Sequence, residues 1–324
     1  MAPRGAWHRA LDIQLGTHAW NATPPGAAYN FGFMQSMFDD SKDLMDDSVP
    51  TFDEFCFEMA LHYQQTLWRG DTIFITSDML HIIMQAAEDL PEDITLDCKN
   101  LMSPFGFALF EEAIIGDDAN EKPITIHGIA WQASPIRPEF GIVKEEDELK
   151  MAVVIYFLTD PTDMRDWTNR KFKHQLDAPM PPLCLSHVYP MKEGDSMPVA
   201  SRQGMGLVVG IVKLFMAMQI LSRQTIGEAQ RVRPDRATRR RLQREYPEHA
   251  EKMITLITLR RKSAKHDDEP QKVEWSRRWI VRGHWRKQYY PKTKTYDWKY
   301  IYEYVKGPED KPLITGRRVF DFRR

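Results

Sequence analysis

The run Met205 to Leu221, M-G-L-V-V-G-I-V-K-L-F-M-A-M-Q-I-L, constrains the fold more than any other stretch. A bilayer span needs about 20 apolar residues. This run is shorter, carries Lys213 and Gln219, and ends at Ser222-Arg223. It therefore reads as a helix buried on nearly all sides rather than a membrane helix. Gly206 and Gly210 stand four apart and are expected to let a neighbouring helix approach closely. A helix covered all round demands layers on several sides. A chain of 324 residues is long enough to supply them, as two domains or as one large α/β unit.

The covering layers are legible as alternating helices and strands. Thr51 to Trp68 places Phe52, Phe55, Cys56, Met59, Leu61, His62 and Leu67 at roughly helical intervals. Thr72 to Ile75 reads as a short strand. Ser77 reads as the cap of a helix over Asp78 to Asp89 that stops before Pro91. Leu101 to Phe110 gives a turn and then a strand, and Ile124 to Trp131 a further strand. Met151 to Leu158 is apolar enough to be central in a sheet. Residues 160–198, with Pro179, Pro181, Pro182 and Pro190, read as loop-rich. The fold class expected is α+β or α/β, a mixed sheet with flanking helices. The organisation expected is an irregular leader over 1–30, an acidic α/β portion over 31–200, the apolar helix plus an arginine-rich helix over 201–246, and a basic β-hairpin module over 247–324.

Charge divides the chain in the same place. From Arg223 onward there are 28 Lys and Arg against 14 Asp and Glu; before it there are 16 against 32. A basic third of this kind reads either as a polyanion-binding end or as the electrostatic partner of the acidic remainder. Asp39, Asp40, Asp43, Asp46, Asp47, Asp53 and Glu54 form an acidic patch. Its spacing is not that of a calcium loop, so it reads as a solvated loop and the dipole-favoured first turn of a helix, with no metal called. Cys56, Cys98 and Cys184 are an odd number with no CxxC spacing, which points to a reducing, cytoplasmic setting. No signal-peptide run opens the chain.

Within the basic third, Pro234 fits the start of a helix in which Arg236, Arg239, Arg240 and Arg244 share much of one face. Met253 to Leu259 is a strand. Arg277 to Tyr290 alternates with period two. One face collects Arg278, Ile280, Arg282, His284, Arg286 and Gln288; the other collects Trp279, Val281, Gly283, Trp285, Lys287 and Tyr289. A turn at Lys292-Thr293-Lys294 and a strand over Asp297 to Val305 would complete a long hairpin. Leu313 to Phe322 could add one more strand.

No phosphate-binding glycine loop, no HExxH, no GxSxG and no zinc spacing is present. No cofactor is called. The candidate nucleic-acid contacts are Arg236, Arg239, Arg240, Arg244, Arg278, Arg282, His284, Arg286 and Tyr289, with arginines on phosphates and tyrosines on bases. Three functions stay open: nucleic-acid binding, protein interaction or virion assembly through charge-paired halves (with a partner protein or a second copy), and metal-independent RNA cleavage. In the last, His284 would be the acid–base group and Arg282 and Arg286 would stabilise charge.

The segment W-I-V-R-G-H-W-R-K-Q, with the later Y-V-K-G-P-E-D-K-P-L, resembles the C-terminal signature of an uncharacterised protein family of actinobacteria, their phages and other mobile elements. L-M-S-P-F-G-F-A-L-F is similar to that family's central turn and strand, where Pro is commoner at the position of Met102. The apolar helix, Gln224-Thr225 and the arginine run fit the same layout. The likeness extends from about Trp68 to the C-terminus. It implies a phage or mobile-element setting and carries over no activity.

Overall fold

A computed structural model describes residues 7–39, 51–117, 123–135, 151–172, 180–196, 206–224, 227–259, 277–292, 294–308 and 310–314. The helices are α1 (His8–Asn21), α2 (Pro24–Phe38), α3 (Phe52–Arg69), α4 (Ser77–Glu88), α5 (Arg165–Phe172), α6 (Gly206–Leu221) and α7 (Arg236–Glu245). The strands are β1 (Asp71–Ile75), β2 (Phe105–Asp117), β3 (Pro123–Pro135), β4 (Met151–Thr159), β5 (Cys184–Lys192), β6 (Gly227–Val232), β7 (Ile254–Leu259), β8 (Arg278–Val281), β9 (His284–Tyr290), β10 (Thr295–Ile301), β11 (Tyr304–Lys306) and β12 (Leu313–Ile314). Asp40, Asp43, Asp46 and Asp47 of the acidic patch, Met205, and all of 315–322 in the last expected strand lie outside the described residues.

The fold is α+β. A seven-stranded mixed sheet runs in the order β5-β4-β3-β2-β1-β7-β6. β1 is parallel to both β2 and β7, and the remaining neighbours are antiparallel. Both faces of the sheet are covered, so its central strands are largely apolar and alternate between two cores. Ile73 and Ile75 of β1, Ala108 and Phe110 of β2, and Val153, Ile155 and Phe157 of β4 face a core shared with α4 and α6. Phe74, Phe107, Leu109, Tyr156 and Leu158 face a second core built with α1, α2 and α3.

Local chemistry explains the element starts. Thr51 and Glu54 form a reciprocal cap at the head of α3: the Thr51 N–H donates to Glu54 Oε2 at 2.7 Å, and the Glu54 N–H donates to Thr51 Oγ. A cap of this kind stabilises by about 1 kcal/mol. Asp53 accepts from the Gln35 amide at 2.8 Å. Thr76, not Ser77, occupies the cap position of α4, because the Ser77 N–H and hydroxyl are engaged by the Glu111 carboxylate at 2.8 and 3.1 Å. α7 begins after Asp235, whose carboxylate accepts from the Thr238 N–H at 2.7 Å; Pro234 precedes the cap instead of filling the first turn.

The apolar run is α6, and it is the buried helix expected of it. Phe215 meets the Trp131 ring edge-on at 5.5 Å, fixing the helix to the sheet. Gln219 accepts from the Met102 N–H at 2.8 Å. Gly206 and Gly210 do not mediate a close contact, since both face open space. Among the described residues, no helix is long and apolar enough to cross a membrane.

Three expectations are corrected. Within the expected leader, residues 7–30 are not irregular: they hold α1 and the start of α2, which bury Leu11, Leu15, Tyr29 and Asn30. The proline-rich stretch 160–198 contributes α5 and the edge strand β5. β7, expected in the basic C-terminal module, lies inside the main sheet between β1 and β6.

Candidate nucleic-acid interface

The long strand expected over Arg277 to Tyr290 is broken at Arg282-Gly283, and its partner at Tyr302-Glu303. The register nevertheless carries across the break. The offset that pairs Val281 with Tyr304 in β8–β11 also pairs His284 with Ile301 in β9–β10. Gly283 is required there, because a Cβ would run into the Tyr300 hydroxyl.

Directly opposed residues of an antiparallel pair share a face. On one face of β9–β10 lie Trp285 with Tyr300, Lys287 with Trp298, and Tyr289 with Tyr296. This face docks on the α4–α6 core. The Trp285 indole N–H donates to the Ala86 carbonyl at 2.8 Å, and the Trp285 and Tyr300 rings are 5.2 Å apart. Gln224, just past α6, donates to the Trp298 carbonyl at 2.9 Å and accepts from the Tyr300 N–H at 3.1 Å. Lys287 pairs with Asp93 at 3.3 Å and lies 5.4 Å from the Trp298 ring.

The other face collects His284, Arg286, Gln288 and Tyr290 from β9, and Thr295, Asp297, Lys299 and Ile301 from β10. Arg286 stands directly opposite Lys299. Like charges so placed repel, and a bound anion would relieve them. The Arg286 guanidinium donates to the neutral Gln288 amide. Arg282, His284 and Arg286 are all exposed.

At the tip, the docked face runs past the edge of the core. The Tyr289 and Tyr296 rings lie with centroids 5.0 Å apart, tilted by 50°, and are 41% and 65% exposed. The turn beside them carries Lys292 and Lys294, both exposed, with Lys294 in the left-handed region at φ 55°. Exposed aromatics flanked by cations suit stacking on unpaired bases.

The sequence-predicted residues do not form one surface. Arg282, His284, Arg286 and Tyr289 belong to the hairpin. His284 Nδ1 lies 3.0 Å from the Arg282 carbonyl, which can only accept, so Nδ1 carries a proton and donates. Arg278 is half-buried and donates through Nε to the Lys311 carbonyl at 2.8 Å, tying down the base of the hairpin. Arg236, Arg239, Arg240 and Arg244 are exposed on α7, but α7 buries Leu242 in the α1–α3 core. The seven-stranded sheet thus separates them from the hairpin. Arg241, between them in sequence, pairs with Asp12 and fastens α7 to α1. Arg244 pairs with the adjacent Glu245 at 2.6 Å. Lys299 and Tyr296 escaped the sequence reading. The strands close on residues 291–294, one residue more than the turn read from the sequence, and only that register places them opposite Arg286 and Tyr289.

A cavity of about 560 Å³ lies away from all of these residues, lined by Phe38, Met59, His62, Gln132, Val154 and Met191 among others. Burial pushes the Tyr156 phenol well above its ordinary pKa, so it keeps its proton, and its hydroxyl is hydrogen-bonded with His62 Nδ1 at 2.6 Å. Exposed Phe57 and Leu61 border the opening.

No protein-family model matches the chain, and no curated protein does. Among solved structures it is similar to the crystal structure of AcrVA2, at 14% identity over 89% of this chain and 96% of that one, with a TM-score of 0.37. A likeness at that level leaves the reading of the site to its own geometry.

Proposed function

We propose that this protein binds nucleic acid through the outer face and tip of the β9–β10 hairpin, in the phage or mobile-element setting that its C-terminal signature implies. The observation that carries the reading is the opposed pair on the outer face of the hairpin, Arg286 exposed and Lys299 half-buried. Two cations held side by side match the spacing problem of a phosphate backbone. Tyr289 and Tyr296 supply stacking area at the tip. His284 adds a hydrogen-bonding nitrogen. Among the described residues it hydrogen-bonds no second acid–base group, so the arrangement favours binding over turnover. Neither a metal nor a cofactor enters this reading.

The test is fluorescence anisotropy of labelled single-stranded and duplex oligonucleotides, DNA and RNA, across a salt series. Arg286→Ala with Lys299→Ala should lower the salt slope by about 2, at about 1 for each phosphate no longer neutralised. An unchanged affinity and slope would overturn the assignment.

A second reading, a protein-interaction or assembly component, is favoured by one observation: the cavity bordered by exposed Phe57 and Leu61. Phe57→Asp should abolish capture of such a partner and leave oligonucleotide affinity unchanged.

A further inference from the structure

On the α1–α3 side of the sheet, two histidines meet on one indole, with a lysine close to both. The His18 ring lies 4.6 Å from the Trp68 ring, and His249, in the short 3-10 turn Pro247–His249, meets Trp68 edge-on at 4.2 Å. Tyr246, at the end of α7, closes a further side at 6.3 Å. Lys252 follows three residues after His249. His18 Nδ1, His249 Nε2 and Lys252 Nζ are all withdrawn from solvent, and none has a hydrogen-bond partner among the described residues.

Orphaned buried polar atoms are rare, because each forfeits its hydration without replacement. One acceptor carrying negative charge and several oxygens would satisfy all three together, with the imidazoles protonated on binding. We propose that the His18–His249–Lys252 cluster is a binding site for one phosphate group. Two imidazoles and an ammonium would each donate to a separate oxygen, with the Trp68 ring packed against both imidazoles. The segments that meet here are the ends of α1 and α3 and the link from α7 to β7. A bound phosphate would therefore staple α7 to the helical layer, beside the Arg241–Asp12 pair.

The electrostatics agree with this assignment. Burial and then the Lys252 charge lower His18; the same two causes, with His18 adding to them and Glu248 opposing, hold His249 down at about 4. Burial lowers Lys252 to about 8, against the pull of Asp71. Each shift is a penalty on the positive form, and a phosphate would lift it. Binding should take up protons on the imidazoles and strengthen as the pH falls below neutrality.

The experiment follows the imidazole signals of the full-length protein, labelled with ¹⁵N-histidine, in phosphate or in chloride at equal ionic strength. Inorganic phosphate should move His18 and His249 saturably and raise the His249 pKa from about 4 towards neutrality. Lys252→Met should weaken the effect at least tenfold, while Lys252→Arg retains it. A 5′-phosphorylated oligonucleotide forms the second arm. If it moves the same signals and inorganic phosphate does not, the phosphate arrives on a nucleic-acid end; the reverse identifies a free ion. Signals that ignore both ligands in the wild type, or respond equally in Lys252→Met, overturn the proposal. The hairpin reading is unaffected either way, because Arg286 and Lys299 lie across the sheet.

Discussion

The indole of Trp285 donates its N–H to the backbone carbonyl of Ala86 at 2.8 Å, joining residues 199 positions apart in sequence. This bond makes the hairpin part of the folded core instead of an appendage. Trp285→Phe keeps most of the buried ring and loses the bond, leaving the Ala86 carbonyl at the end of α4 without it. The expected cost is about 1 kcal/mol. Trp285→Ala should cost about 3–5 kcal/mol. Urea unfolding measures both, and hydrogen exchange should show β9 and β10 losing protection first.

The two groups of arginines should act independently. Arg239→Ala with Arg240→Ala alters α7, and Arg286→Ala with Lys299→Ala alters the hairpin across the sheet. With an oligonucleotide of about eight nucleotides, too short to span both, only the hairpin variant should lose affinity. Separated sites add within about 0.5 kcal/mol, so the combined variant should match the hairpin variant. Loss of affinity in the α7 variant alone would move the site to the other face.

Gly106 lies opposite Trp131 in the β2–β3 ladder, and a Cβ at Gly106 would collide with the indole ring. Trp131 has no room to retreat: it is fully buried, donates to the Ser103 carbonyl at 2.9 Å, and packs on Phe215 of α6. Gly106→Ala should destabilise by about 1–3 kcal/mol, the usual cost of overpacking. Differential scanning calorimetry would register it as a lower Tm.

His249 gives the stability a sign with pH. Burial and the nearby Lys252 charge hold its folded pKa at about 4, below the ordinary 6.5. Between those values the unfolded chain binds the proton and the folded chain does not. Its contribution is therefore complete above about 6.5 and is lost as the pH falls towards about 4. In phosphate-free buffer, denaturation midpoints should decline over that window, and His249→Gln should flatten the decline.

Much of the scaffold was legible because its signals are local. The apolar run of α6, the helical spacing of α3 and the β-rich runs of β1, β3 and β4 each announce themselves within about 20 residues. α1 and α2 did not, since Pro24-Pro25-Gly26 looks like loop composition. Thr23 caps that segment, accepting from the Gly26 N–H at 3.3 Å, and the prolines sit in the first turn, where no N–H is needed. The hairpin's alternation was visible, but its two faces could not be ranked from periodicity. What decides them is the docking of Trp285 on Ala86. The His18–Trp68–His249 cluster was illegible for a simpler reason: its members stand on three segments up to 231 positions apart, and none carries a motif.

The place of β7 bears on how the chain is made. β1 takes one parallel partner about 35 residues downstream and the other about 180 residues downstream. Until Ile254 to Leu259 has been synthesised, Ile73, Phe74 and Ile75 form an open sheet edge whose side chains suit burial on both faces. Such an edge is a template for pairing with another chain. Fragments ending before residue 254 should therefore aggregate or recruit chaperones, and synthesis of the basic third would be the step that closes the fold.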